Sequence, residues 1–574
     1  MCLLQPAVNA AKRYCSMLRR AVILLVLFIL SGEAMGQIFE DATEATGLVF
    51  EHFNGMSGQL YFPESLGGGV GLFDFDSDGD LDVYFGQGHM LGEFPVSEAT
   101  FPPKYPIPMT DRLFRNDLET GELRFTDVTE SAGIKAPGYA MGVAAADYDN
   151  DGHVDIYVTN YKVNQLWRNK GDGTFEDATT KAGLAEPRWG VSAAWLDYDR
   201  DGWLDLFVGN YFKHSIETDR RVCRLATREK DYCGPLKGAG DVDSLFRNRG
   251  DGTFEDVSEI AGIRKARGGA LGVVTADFNG DRWPDIYVAN DGVSNALWIN
   301  NRKGGFTNEA LLAGVAVNRD GMAEASMGVD AGDFDGDGDE DLFMTHLTEE
   351  TNTLYINDGQ GWFEDQTVAM GLANPSFKYT GFGTAWIDYD NDSWLDLLAV
   401  NGAVKKIQAL VESGDPYPIH QPNQLFRNLG NGRYEEVTGR AGAAFESSLV
   451  SRAAAFGDLD NDGDTDVIIG NNAGPAQVLL NQVGSSFGWV GFRLLVADGS
   501  RDALGARVGL ERKPTLWRRV RADGSYASSN DTRIIFGLGD GPPRTIGLNV
   551  IWPDGSEQRI DSIEVGRYHE IRQE

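Results

Sequence analysis

Basic charge, cysteine and histidine are all scarce in this 574-residue chain: 51 Lys and Arg stand against 86 Asp and Glu, with four Cys and seven His. A formal charge of −35 provides no basic footprint for a phosphate backbone, which argues against nucleic acid as a partner. The histidines lie apart, without metal-ligand spacing. No Gly-x-Ser-x-Gly elbow, phosphate-binding Gly-Lys-Ser/Thr loop or His-Glu-x-x-His helix occurs, so no catalytic constellation is recognisable. Long apolar runs are missing too. The one unbroken stretch, 21–30, follows Arg19 and Arg20 and precedes Ala34-Met35-Gly36. That pattern reads as a secretory signal over 1–36, cut before Gln37, and is too short to span a bilayer comfortably. Met17 is an alternative start that gives a more compact signal. The expectation is an exported protein (secreted, periplasmic or at the cell surface) with no transmembrane span in the mature chain. Cys2 and Cys15 precede the apolar run. Cys223 and Cys233, ten residues apart, are expected to pair in an oxidising compartment.

The dominant feature is an acidic loop that occurs seven times. Its first position is Asp74, Asp147, Asp197, Asp277, Asp333, Asp388 and Asp458; its third is Asp76, Asp149, Asp199, Asn279, Asp335, Asp390 and Asp460. The fifth is Asp78, Asp151, Asp201, Asp281, Asp337, Asp392 and Asp462; the ninth is Asp82, Asp155, Asp205, Asp285, Asp341, Asp396 and Asp466. So many like charges in nine residues repel one another unless a cation sits among them. Dense hard oxygen ligands suit Ca²⁺, so up to seven ions are expected. Glycine holds position 6 except at Arg282 and Ser393, which marks the fourth and sixth sites as weaker, the fourth more so because Asn279 is neutral. An EF-hand would need a bidentate Glu at position 12. Here that position falls in runs such as Asp155-Ile156-Tyr157-Val158, which read as buried strands.

A second repeat follows each loop. Leu166-Trp167-Arg168-Asn169 leads to Phe175-Glu176-Asp177, and Leu113, Leu245, Leu297, Leu354 and Leu425 open matching segments. With the strand ahead of each loop, one unit is four strands. Seven such units predict an all-β, seven-bladed β-propeller over residues 37–482. The seventh unit lacks its Phe-Glu-Asp strand, whereas Phe39-Glu40-Asp41 stands alone at the other end, so the N-terminal strand is expected to close the last blade.

These repeats resemble the FG-GAP/VCBS family, found in the propeller heads of integrin α chains and in many bacterial exported proteins. From about residue 484 the pattern changes. Strands are expected over 489–496, 506–510, 516–521, 533–538, 545–552 and 557–560. Gly524-Ser525-Tyr526, Ser529-Asn530-Asp531 and Trp552-Pro553-Asp554-Gly555 are similar to the ASPIC/UnbV domain, taken here as a small β-sandwich-like unit over 484–574. The whole architecture resembles the cartilage acidic protein family, whose molecular activity is poorly defined. Asn530-Asp531-Thr532 fits an N-glycosylation triplet.

Strand alternation puts all seven acidic loops on one face. The long insertions 86–110, 210–240 and 401–422 belong to the other, where binding is expected. Links around the central opening offer His52, Glu64, Arg188, Trp189, Lys265, Arg267, Glu324, Lys378, Tyr379 and Arg452 as candidate ligand-binding residues, with an anionic or sugar-like ligand in view. Asn160, Asn210, Asn290, Asn401 and Asn471 recur at second-strand ends and read as turn caps. The expected function is an exported calcium-binding module for adhesion to an extracellular glycan or protein. The alternative is a calcium-dependent, lyase-like enzyme on a polysaccharide, with Arg188, Lys265 and Tyr379 as base and charge stabilisers.

Overall fold

Burial along each repeat falls from the first strand to the fourth. Ala140–Ala146 and Ser451–Gly457 are buried at every residue, and both are rich in Ala. Small side chains fit there because the first strands crowd towards a common axis. Second strands such as Asp285–Asn290 are equally buried and carry larger Ile, Tyr and Val, which fill the widening wedge between neighbouring sheets. Fourth strands such as Phe175–Asp177 bury only their first residue. A computed structural model describes residues 37–574 except 119, 120, 220, 237, 498 and 500. The signal assigned to 1–36, with Cys2 and Cys15, lies outside the described residues.

The seven repeats form antiparallel four-stranded units, six of them built in sequence order from the first to the fourth strand. Each first strand packs against that of the next repeat, and Ser451–Gly457 of the seventh returns to Val70–Phe73 of the first, completing a ring. Phe39–Asp41 supplies the outermost strand of the last sheet, with Phe39 opposite Asn481 and Asp41 opposite Leu479. Fully buried Phe39 stacks on Phe445 with centroids 5.9 Å apart. The open edge of the seventh blade is thereby covered.

The C-terminal part is a sandwich of two sheets. Gly488–Leu495 lies between Ile534–Gly539 and Tyr568–Arg572; Arg507–Leu510 and Thr545–Ile551 are central in the other, flanked by Leu516–Arg519 and Glu557–Glu564. Its core residues Phe492, Val508, Phe536 and Trp552 join Tyr148, Tyr157 and Trp195 of the second and third blades in one apolar cluster. The last expected strand therefore runs four residues further, and a further strand, Tyr568–Arg572, follows it.

The expected central opening is filled from within. The chain leaves the sandwich after Arg519, runs into the propeller axis and returns by Asn530. Ser528–Ser529 pairs in parallel with Val70 and Gly71 of the first blade. Val143 N–H donates to Ala527 O at 3.2 Å, and Ala527 N–H donates to Ser192 Oγ at 3.0 Å. Thr275 gives both N–H and Oγ1–H to Asp523, at 2.7 and 2.5 Å. Val329 N–H reaches Ser525 O at 3.0 Å, Thr384 N–H reaches Ser525 Oγ at 3.2 Å, and that hydroxyl donates to Ala454 O at 2.7 Å. One segment thus hydrogen-bonds to the first strand of all seven blades. First strands at the hub present polar backbone that must be satisfied once water is excluded, and the inserted segment satisfies it. Asn530 is 6 % exposed and donates from Nδ2 to Asp523 O at 2.8 Å, so in the folded protein the triplet is closed to glycosylation.

Arg521 anchors the segment by a bidentate pair with Asp330, a carboxylate with no exposure that also accepts Trp386 N–H at 2.8 Å. Breaking a buried pair leaves an uncompensated charge. Asp330→Ala is expected to lower unfolding stability by about 3 kcal/mol, measured by urea denaturation of the full chain. A loss under about 1 kcal/mol would show that the inserted segment contributes little.

Candidate metal centres and the insertion-bearing face

Each acidic loop is built around its ninth-position aspartate. Asp82 accepts Asn116 N–H on one oxygen and Phe75 N–H on the other, both at 2.8 Å. Asp155, Asp205, Asp285, Asp341, Asp396 and Asp466 repeat this pair of bonds with Asn169, Asn248, Asn300, Asn357, Asn428 and Asn481. Each is almost fully buried. The first-position carboxylate folds the loop over itself: Asp147 accepts Asp151 N–H at 3.1 Å and Gly152 N–H at 2.8 Å. The fifth-position carboxylate caps position 7, as Asp151 does for His153 N–H at 3.1 Å.

Among the described residues six groups of side-chain ligand atoms converge within 4.8 Å, and they include the first, third and ninth positions of the loops Asp74/Asp76/Asp82, Asp147/Asp149/Asp155, Asp197/Asp199/Asp205, Asp333/Asp335/Asp341 and Asp388/Asp390/Asp396. Several of these oxygens are buried and lack a hydrogen-bond partner, among them Oδ1 of Asp149, Asp199, Asp388 and Asp390. Buried carboxylate oxygens are seldom left bare. An all-oxygen donor set with bare, converging lone pairs fits a hard divalent cation, so these clusters could bind metal ions.

Position 6 turns in the left-handed region whether or not it is glycine. Arg282 has φ +71° and Ser393 φ +84°, beside +89° at Gly152. Missing glycine therefore does not deform the fourth and sixth loops. Their strain, about 1 kcal/mol for a non-glycine residue, is offset by contacts to the C-terminal domain. Arg282 pairs with Glu557 at 2.6 Å, and Ser393 Oγ donates to Gly537 O at 2.8 Å.

The asparagine ending each third strand has a second role that spacing did not reveal. Its Nδ2 crosses to the preceding blade and donates to the carbonyl of loop position 2. Asn169 reaches Phe75 at 2.7 Å, Asn248 reaches Tyr148 at 2.8 Å, and Asn116 closes the circle on Leu459 at 3.0 Å. The other four make the same contact. The arginine before it often faces the loop carboxylates: Arg168 meets Asp149 at 2.5 Å and Asp151 at 2.6 Å. Only the recurrence of Asn at the end of every third strand, preceded by Arg at Asn116, Asn169, Asn248 and Asn428, could have hinted at either function.

Repeat geometry and sequence agree on the family. The FG-GAP-like repeat model matches residues 74–158, 147–208, 236–288, 277–344, 333–399 and 413–490, more than half the chain, and the ASPIC and UnbV model matches 497–574. The chain belongs to the FG-GAP-like repeat family. It is similar to cartilage acidic protein 1 of Homo sapiens, 28 % identical over 332 residues, covering 55 % of this chain and 45 % of that protein. The Mus musculus protein aligns over the same length with 28 % identity, covering 55 % and 46 %. The chain thus spans under half the length of these curated relatives. Among solved structures, an Agrocybe aegerita lectin described as recognising non-reducing terminal N-acetylglucosamine aligns at TM-score 0.39 and 15 % identity, covering 71 % of this chain and 87 % of that one. The BP39L lectin of Burkholderia pseudomallei aligns at TM-score 0.40 and 11 % identity, covering 73 % and 97 %.

On the face opposite the FG-GAP loops, the three insertions meet. Phe101 packs on Tyr417 with centroids 5.7 Å apart, Thr227 Oγ1 donates to Gln408 at 3.3 Å, and Lys406 N–H donates to Asp231 at 3.1 Å. The Cys223–Cys233 disulfide is formed. This canopy changes the status of the expected ligand residues. Arg452 has no exposure; its guanidinium donates to the carbonyls of Ser65, Gly402, Ser451 and Ala403 at 2.7–2.9 Å. His52, Glu64 and Trp189 are buried with it. Burial holds His52 neutral, down to about 3, and pushes Glu64 up to about 8. Arg188 is held by Glu186 at 2.5 Å and Asp241 at 2.6 Å, and half-buried Glu324 lies 3.7 Å from His346. Lys265, Arg267 and Lys378 are exposed, and Tyr379 is half-buried. The ten residues therefore do not converge on one opening, because the insertions and the axial segment fill it. Asn210, Asn290, Asn401 and Asn471 donate to the carbonyls of Val242, Ser294, Pro422 and Pro475, as turn caps do.

Without a cation, burial and neighbouring carboxylates raise Asp197 to about 6, Asp147 and Asp458 to about 7 and Asp388 to about 8. An acid with a raised folded value keeps its proton longer in the native state. Between about pH 4 and pH 8 the native state binds more protons than the unfolded chain, and stability falls as pH rises through that window. In chelator the melting temperature is expected to decline from pH 5 to pH 8, and millimolar calcium is expected to abolish or invert that decline. Equal slopes with and without calcium, followed by scanning calorimetry, would contradict the metal assignment.

Proposed function

We propose that this protein is an exported, calcium-stabilised β-propeller acting as a binding module for an extracellular carbohydrate or protein, with a propeller unit over 37–482 and an ASPIC/UnbV unit over 484–574. The observation that carries the reading is the canopy itself. Three insertions from separate blades hold one another over a rigid ring, the arrangement in which loops become a recognition surface. Beside the disulfide lies a cleft of about 210 Å³ lined by Gln59, Tyr61, His214, Asp219, Arg221 and Lys230. Tyr61 offers an aromatic face there beside polar Gln59 and Lys230, a combination that suits a pyranose ring, while Arg221 is held by Asp219 and Gly234. Export is supported by the Cys223–Cys233 pairing, which persists in oxidising compartments, and no helix among the described residues is long and apolar enough to cross a membrane. Calcium fits the bare carboxylate oxygens of the loops and acts here as a stabiliser of the scaffold.

The lyase-like alternative needs Arg188, Lys265 and Tyr379 on one substrate, and Arg188 is already committed to two carboxylates. The test is a glycan array with calcium-loaded protein. Binding is expected, and Tyr61→Ala is expected to weaken it about tenfold, the loss of one stacking contact. A silent array would end the carbohydrate reading and leave the protein ligand. Binding indifferent to Tyr61→Ala and Arg221→Ala would move the site away from this cleft.

A further inference from the structure

We infer that the C-terminal domain is a cover for the sixth and seventh metal loops, and that these two sites retain their cations longer than loops with more exposed carboxylates, such as the third. The inference rests on the calcium reading above but goes beyond it: it assigns residues of one domain to ion retention in another, and reverses the rank that position 6 gives the sixth loop.

In the sixth loop Asp388, Asp390 and Asp396 are 8 %, 7 % and 1 % exposed, and Oδ1 of the first two is bare. By contrast, Asp197 and Asp199 of the third loop are only half-buried. The cover is specific. Ser393 N–H donates to Asp388 at 2.9 Å, Ser393 Oγ donates to Gly537 O at 2.8 Å, and Arg512 donates to Ser393 Oγ at 2.7 Å. The serine that replaces glycine is thus the bolt between loop and domain. Gly539 N–H adds a bond to Asn391 O at 2.8 Å.

The seventh loop is covered differently. Tyr568 O–H donates to Asp458 Oδ2 at 2.8 Å, and Arg533 donates to Asp458 O at 2.8 Å and to Asn461 Oδ1 at 2.6 Å. Trp489 lies so close over Gly463 that no Cβ would fit. Asn391 Nδ2 donates to Gly463 O at 3.1 Å and ties the two loops together. Asp460 Oδ1 is again buried and bare. An ion in either loop can leave only if the domain interface opens. That is a local unfolding event, and it imposes its own free energy on the release rate.

The experiment uses the full chain loaded with calcium, transferred into excess chelator, with protein-bound metal counted by mass spectrometry over time. Two ions are expected to leave at least about tenfold more slowly than the others. Asp390→Asn and Asp460→Asn should each delete one slow ion, whereas Asp199→Asn should change only the fast fraction. Tyr568→Phe with Trp489→Ala should move the seventh ion into the fast phase and leave the sixth slow; Ser393→Ala should do the converse. A single release phase from metal-loaded protein, or a slow phase unaffected by Asp390→Asn and Asp460→Asn, overturns the cover. Protein that carries no calcium before transfer overturns the calcium reading and the cover with it.

Discussion

A carboxylate that is buried and still serves as a hydrogen-bond hub is the constraint on which this ring depends. In every blade the ninth-position aspartate takes a backbone N–H from its own loop and another from the end of the third strand. It therefore sets the position of the asparagine that follows. That asparagine reaches back to the previous blade, and seven such contacts run unbroken around the molecule. Besides offering carboxylate clusters that could bind metal ions, the acidic loops carry lateral hydrogen bonds between neighbouring blades. Burying so many carboxylates side by side is unfavourable. The arginines of the third strands answer that electrostatic burden, and a cation held by the converging carboxylates would answer it too.

Those features that repeat were readable in the residues before any coordinates. The carboxylate spacing, the four-strand unit and the N-terminal strand that completes the last sheet all depend on local pattern, and a pattern copied seven times averages out local ambiguity. What could not be read occurs once and joins distant positions. Arg521, Asp523 and Ser525 look like an ordinary turn in the C-terminal domain, yet their partners Asp330, Thr275 and Thr384 lie about 140 to 250 residues away. Strand alternation assigns a side chain to a face. It does not say whether another segment will cover that face, and so it gives no sign of the canopy that buries His52, Glu64, Trp189 and Arg452.

Position 6 of the acidic loops makes the same point on a smaller scale. Read alone, arginine or serine in place of glycine signals a poorer turn. In the folded chain both residues adopt the left-handed conformation because each is gripped from outside the loop, Arg282 by Glu557 and Ser393 by Gly537 and Arg512. A local propensity of about 1 kcal/mol is overridden by contacts of comparable size. The exceptions to the repeat thus fall where the C-terminal domain needs a side chain to hold.

The asymmetry of the two faces follows from these contacts. The metal-loop face is acidic, and the C-terminal domain meets it with Arg493, Arg501, Arg507, Arg512 and Arg533. The hub is closed by that same domain's inserted segment. The acidic loops and the hub are thus both in contact with the C-terminal domain. The opposite face carries the three insertions and the disulfide. Closure of the ring and filling of the axis occupy the other, and a segment that hydrogen-bonds to all seven blades joins the C-terminal domain to the propeller at its centre rather than at its rim.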